Sequence, residues 1–156
     1  MRLTFYKVND CGVVNIPKCG SQSLGAISEA LLDDTQQHLV KNMMAFIREP
    51  MDRLKSLYRF QLETHHLAGF PIRCWNCFVE WVLETDDYHA KPQTEFLFGG
   101  ETLYTLDNMD EVLQGITGKA VPKLNTTSID IPYTDYKANE LVEKYQSDYD
   151  LYRSLS

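Results

Sequence analysis

A chain of 156 residues is about the length of one domain and can bury a core without disulfide or metal staples. A composition of 44% apolar, 24% charged and 12% aromatic residues excludes wholesale disorder and fibrous repeats. The formal charge of −7, with no run of Lys and Arg, argues against nucleic acid and heavily sulfated glycans as main partners, because affinity for polyanions comes from clustered cations.

No apolar stretch approaches the roughly 20 residues that span a bilayer, and "MRLTFYKVND" is too short in its hydrophobic part for a secretory signal. The expectation is a cytoplasmic protein with no membrane insertion, in which Cys11, Cys19, Cys74 and Cys77 stay reduced.

In chain order, "LTFYKV" (3–8) and "GVVNI" (12–16) read as strands joined by the turn "NDCG". Leu24, Ile27 and Leu31 follow helical spacing from Ser21 onward. "NMMAFI" (42–47) reads as a buried strand, and Pro50 is placed to start a helix whose inner face carries Leu54, Leu57, Tyr58 and Leu62. Two strand-to-helix units predict an α/β domain over residues 1–156, with a central, mainly parallel sheet flanked by helices. Downstream, residues 74–85, 106–116 and 133–155 read as helices, the second with Asp107 as N-cap, while "EFLF" and "TLYTL" read as strands.

"VNIPKCGSQS" ends a strand with a glycine-containing turn and opens a helix with serines. Such a segment gathers backbone N–H groups at the positive end of a helix dipole. Lys18 adds a full charge, and Ser21 and Ser23 add hydroxyls, which together suit phosphate or sulfate. It is not a Walker A loop, since Lys18 precedes Gly20, and Cys19 lacks the downstream arginine of a cysteine phosphatase loop. The plainer alternative is a helix capped by Ser21 or Ser23 beside a solvated lysine.

"REPMDRLKSLYR" (48–59) places Arg48 at a strand end and sets Arg53, Ser56 and Arg59 at three-residue spacing on the following helix. An arginine fork fits phosphate oxygens, and a serine on the adjoining helix adds a hydrogen bond. The alternative is a surface helix stapled by Glu49, Asp52 and Arg53 charge pairs. Both segments sit at carboxyl ends of predicted strands, where open α/β sheets bind ligands, so a ligand with two separated anionic groups is expected.

The two segments resemble the nucleotide-binding motifs of the sulfotransferases that use 3′-phosphoadenosine 5′-phosphosulfate (PAPS): "PKxGxTS" against "PKCGSQS" (17–23), and "RxPxxRxxSxYR" against all twelve positions of 48–59. Weaker similarity to carbohydrate (Golgi-type) sulfotransferases and their bacterial and viral relatives runs through "FVEWVLETDDYHAKPQTEFLF", "VPKLNTTS" and "YQSDYDLY", covering most of the chain. Gln22 departs from the pattern, standing where that family has threonine, and the chain is shorter than typical members.

The resemblance implies a minimal P-loop-like sulfotransferase fold, PAPS as donor, 3′,5′-diphosphoadenosine as product, no metal, and a hydroxyl of a carbohydrate or similar acceptor. It implies that Lys18 stabilises the departing nucleotide and that Cys19, Gly20, Ser21, Gln22 and Ser23 hold the 5′-phosphate. Arg48 and Ser56 would grip the 3′-phosphate, with Lys123, Thr126 and Thr127 on the nucleotide side.

Transfer to a hydroxyl needs a base, and histidine suits neutral pH. His38, His65, His66 and His89 are the candidates; His89, in the family-like "HAKPQ", is preferred, with Gln93 as a substrate-positioning partner. Cys74 and Cys77 form a CxxC with no second pair at zinc spacing, and core packing beside Trp75 and Phe78 is the expectation. A noncatalytic nucleotide-binding module and a small nucleotide-dependent kinase are the competing readings.

Overall fold

The structure is a computed structural model and describes residues 1–64, 74–122 and 132–156. Strand β1 (Thr4–Val8) and strand β2 (Cys11–Val14) pair antiparallel around a two-residue turn, with Val8 opposite Cys11. Asn9 has the left-handed conformation that so tight a connection requires, φ 54°, which its short amide tolerates. Cys11, expected in the turn, is therefore already paired in the strand, which starts one residue before the expected Gly12.

Helix α1 (Ser21–Ile27) stops before Leu31. Ser28 turns extended, and Ala30–Asp33 forms β3, antiparallel to β1. Leu31 fitted the helical spacing but is 53% exposed, so no core contact rewards continuing the helix, whereas pairing covers the otherwise open edge of β1.

Strand β4 (Asn42–Ile47) lies parallel to β2, and β5 (Thr102–Thr105) lies parallel to β4. The five strands run β3-β1-β2-β4-β5. The architecture is α/β as expected, but the sheet is mixed, because β1 is antiparallel to both of its neighbours.

Alternation along β2 and β4 assigns the two faces. Val13, Met44 and Phe46 join Leu24 of α1 and Met109 and Leu113 of α4 (Met109–Thr117) in one apolar cluster. Val14, Ala45 and Ile47 join Ile16, Cys19 and Phe96 in another, with Leu151, Tyr152 and Leu155 packed against it. A strand covered on both sides in this way reads as the continuous apolar run seen in "NMMAFI".

Helix α2 (Pro50–Thr64) begins with proline at its first position, and the Glu49 carboxylate accepts from the N–H groups of Met51 (3.2 Å) and Asp52 (2.8 Å). With α3 (Trp75–Glu84) and α5 (Ala138–Lys144) it forms a third cluster around Leu57, Tyr58, Phe78 and Leu141. The expected C-terminal helix is two helices, α5 and α6 (Gln146–Leu155), divided at Tyr145. Tyr145 is buried and its hydroxyl donates to the Ala90 carbonyl, which anchors the break.

Three further expectations are corrected. "EFLF" is not a strand: Gln93–Phe96 is a 3-10 turn, since the buried Asp148 carboxylate accepts from the N–H groups of Gln93 (2.7 Å) and Thr94 (3.1 Å) and bends the chain there. Asp107 does not cap α4; it lies inside a 3-10 turn, Leu106–Asn108, and Asn108 is the residue preceding the helix. Cys74 is not core: it is exposed and caps α3. Among the described residues no helix is long and apolar enough to cross a membrane.

Asp148→Ala leaves the buried Gln93 N–H and the half-buried Thr94 N–H without their acceptor. A loss of about 3 kcal/mol in urea unfolding is expected, and a smaller one for Asp148→Asn, which keeps one carbonyl acceptor.

Candidate functional site

A cleft of about 370 Å³ opens where β2, β4 and β5 end, within the range of small-molecule sites. Lys18 enters it from the loop after β2, Arg48 from the residue after β4, and Leu106 from the turn after β5. Ser56 reaches it from α2, as do Gly20, Ser21, Gln22 and Ser23 from the start of α1, and His89 from the loop after α3. The two sequence motifs and the preferred histidine thus share one crevice.

The loop after β2 is shaped by two left-handed residues, Lys18 at φ 64° and Gly20 at φ 83°. The positive φ at Gly20 favours glycine, and an added Cβ would also stand 2.7 Å from the Met109 sulfur, which would have to move aside. Gly20 is also the residue preceding α1, with no side-chain cap, so neither Ser21 nor Ser23 caps the helix. The Ser21 hydroxyl instead contacts Asn15 Oδ1 (3.1 Å) and the Ile16 carbonyl (3.2 Å).

Cys19 departs from its expected place. It is 4% exposed, its N–H donates to the Ile16 carbonyl at 3.1 Å, and its thiol donates to Gln93 Oε1 at 3.2 Å. Its backbone donor is engaged inside the loop, and burial raises its thiol pKa.

Arg48 donates through Nη1 to the Lys18 carbonyl at 3.0 Å, tying the two segments directly. Its backbone is fixed by Gln93, whose Oε1 accepts from Arg48 N–H (2.9 Å) and whose Nε2 donates to the Arg48 carbonyl (2.8 Å). Gln93 is fully buried, so it is a scaffold for Arg48 and Cys19 rather than a substrate-positioning side chain. Arg53, 2% exposed, donates to the carbonyls of Pro17 (2.9 Å), Lys91 (2.8 Å) and His89 (3.2 Å). It is not a surface charge pair.

The His89 ring lies beside Asp87, with Nδ1 at 2.8 Å from Oδ1, and the same oxygen accepts from His89 N–H at 2.9 Å. In the neutral imidazole that donates from Nδ1, the acceptor lone pair is at Nε2. Tyr88 packs against the ring at 3.9 Å between centroids, the two planes tilted by 35°. Asp87, two residues before His89 in an exposed-looking acidic pair, carried no sequence signal of its own.

Set against known proteins, the chain matches no family model, no curated protein and no solved structure. What the site can do therefore rests on its own geometry. Lys123, Thr126, Thr127, His65 and His66 lie outside the described residues. Tyr6, Asn15 and Phe60 complete the walls without having been singled out by any motif.

Lys18 Nζ sits 4.3 Å from the centroid of the Phe60 ring. Burial first, then the nearby Arg48 charge, holds its ammonium below the ordinary lysine pKa, with Glu63 acting in the opposite sense. Burial also lowers Arg48. Two like charges kept together in a half-dry cleft suit a polyanionic ligand.

A lysine with a depressed folded pKa disfavours folding while it is charged, and the penalty fades as pH rises through that folded pKa. Lys18→Met is therefore expected to stabilise the unliganded protein near neutral pH, by no more than about 1 kcal/mol after solvent screening. The gain should shrink at alkaline pH in thermal melts.

Proposed function

We propose that this protein is a PAPS-dependent sulfotransferase that moves a sulfuryl group to a hydroxyl of a carbohydrate or similar acceptor. The observation carrying this reading is the convergence of Lys18, Arg48, Ser56 and His89 on one cleft at the ends of parallel strands. The match of residues 48–59 to the family's 3′-phosphate segment supplies the donor class.

The donor set fits a nucleotide carrying anionic groups at two places. Lys18 with the first turn of α1 serves the phosphosulfate end, where N–H groups lacking an i−4 acceptor face the loop. Arg48 and Ser56 serve the 3′-phosphate, the group that separates this donor from ATP. Cys19 drops out of the binding set, since its side chain and N–H are both turned into the protein.

In the transfer the acceptor oxygen attacks sulfur in line, and the bond from sulfur to the 5′-phosphate oxygen breaks. Lys18 places positive charge where that oxygen gains negative charge, the largest contribution expected from a preorganised site. His89 Nε2 takes the acceptor's proton, and Asp87 holds the ring in the required tautomer and stabilises the imidazolium.

Calorimetry with 3′,5′-diphosphoadenosine and with ADP tests the donor class. Preference for the former is expected, and Arg48→Ala should weaken it about 10- to 100-fold. Equal affinity for ADP would favour a kinase-like site. Labelled-donor turnover separates enzyme from noncatalytic binder: Lys18→Ala is expected to lower kcat by roughly 100-fold or more, and His89→Gln by a similar factor, with diphosphoadenosine affinity for the His89 variant unchanged.

A further inference from the structure

Cys74 and Cys77 lie outside the cleft and have no part in the proposed transfer. Cys74 is the residue preceding α3, extended at φ −161° and ψ 160°, and it is exposed. Cys77 lies one turn further on and is half-buried. Their sulfurs are 2.7 Å apart, and the Cys77 N–H donates to Cys74 Sγ at 3.2 Å. We propose that Cys74 and Cys77 form a thiol–disulfide exchange site, with Cys74 as the attacking thiol and Cys77 as the resolving one.

Three features distinguish this pair from the other cysteines. The sulfurs need to approach by only about 0.7 Å to reach the disulfide bond length of roughly 2.05 Å. The attacking sulfur is the solvent-exposed one, at the positive end of a ten-residue helix. Hydrogen bonds from the Cys77 thiol and N–H stabilise the Cys74 thiolate and lower its pKa, whereas burial raises those of Cys11 and Cys19.

The co-reactant is a low-molecular-weight disulfide such as oxidised glutathione. Cys74 thiolate attacks one of its sulfurs, forming a mixed disulfide and releasing one glutathione thiolate. Cys77, giving up its proton to solvent, attacks Cys74 Sγ and expels the second glutathione thiolate. The protein dithiol has lost two electrons and two protons, the small disulfide has become two thiols, and the reverse steps reduce the pair.

The bridged form also has an optical reporter. Trp75 lies between the two cysteines in sequence, packed on Tyr58 and Tyr133 with centroids 5.5 Å and 4.9 Å away. A disulfide formed beside it quenches indole emission by electron transfer.

The full chain, equilibrated in glutathione buffers of graded redox ratio, acid-quenched and alkylated, is expected to lose two hydrogens, mapped by peptide mass to Cys74–Cys77, with a parallel fall in tryptophan emission. Cys77→Ser should trap one glutathione on Cys74. Cys74→Ser, which keeps a capping side chain, should show no bridge, and Cys77 in it should react with iodoacetamide at least about tenfold more slowly than Cys74 does in the native chain. Glutathione found on Cys11 or Cys77 ahead of Cys74, or no bridge in oxidised glutathione while circular dichroism shows the fold intact, would overturn the proposal.

Discussion

The Arg53 guanidinium fixes the candidate site. It is buried, and its N–H groups go to the carbonyls of Pro17, His89 and Lys91, so one planar group ties the loop after β2 to the loop that carries the histidine. A buried cation is tolerated only when its donors are occupied, and three carbonyls in fixed directions suit a rigid fork far better than a lysine point charge. The same logic continues through Asp148, which holds the backbone of Gln93, and Gln93, which holds both backbone groups of Arg48. Gln93 thereby continues the pairing of β4 one residue beyond the sheet.

That scaffold sustains a conformation the chain would not adopt unaided. Lys18 is left-handed without being glycine, and it is held over Phe60 next to Arg48 in a protein of net charge −7. Strain and like-charge proximity at one position are features of a site preorganised for something else to bind. The overall negative charge repels anions at long range, so the local pair of cations must recruit an anionic ligand within the Debye length of about 8 Å, where salt screens least.

Much of this was legible in the sequence where a pattern is local. The run "NMMAFI" gave a strand, Pro50 a helix start, and the two motifs fell at strand ends because strand, turn and helix follow directly in the chain. What escaped was set by partners distant in sequence. Leu31 joined β3 because β1 needed an edge partner, and the start of "EFLF" curled because Asp148, some fifty residues on, takes the N–H groups of Gln93 and Thr94 just before it. The three-residue spacing sets Arg53 on a phosphate-binding face, with surface charge pairing as the alternative, and the motif makes Gln93 a substrate contact; burial shows both to be scaffold. The apolar neighbours of Cys74 point to the core, yet the helix begins beside it, and the cap is exposed.

The division of labour inside the loop bears on Gln22. Ser21 has a single hydroxyl proton and two acceptors within the loop, Asn15 Oδ1 and the Ile16 carbonyl, so its proton is engaged whichever it chooses. A phosphate arriving at the start of α1 can then draw on backbone N–H groups, Ser23 and the residue at 22. A glutamine there supplies an amide donor on a longer stem in place of a threonine hydroxyl, and Gln22 lines the cleft from the turn that Lys18 opens. On the proposed reading, the glutamine keeps a hydrogen-bond donor where the resembled motif has threonine but moves its reach outward by two carbons, so it alters where a phosphosulfate would sit more than whether one could be held.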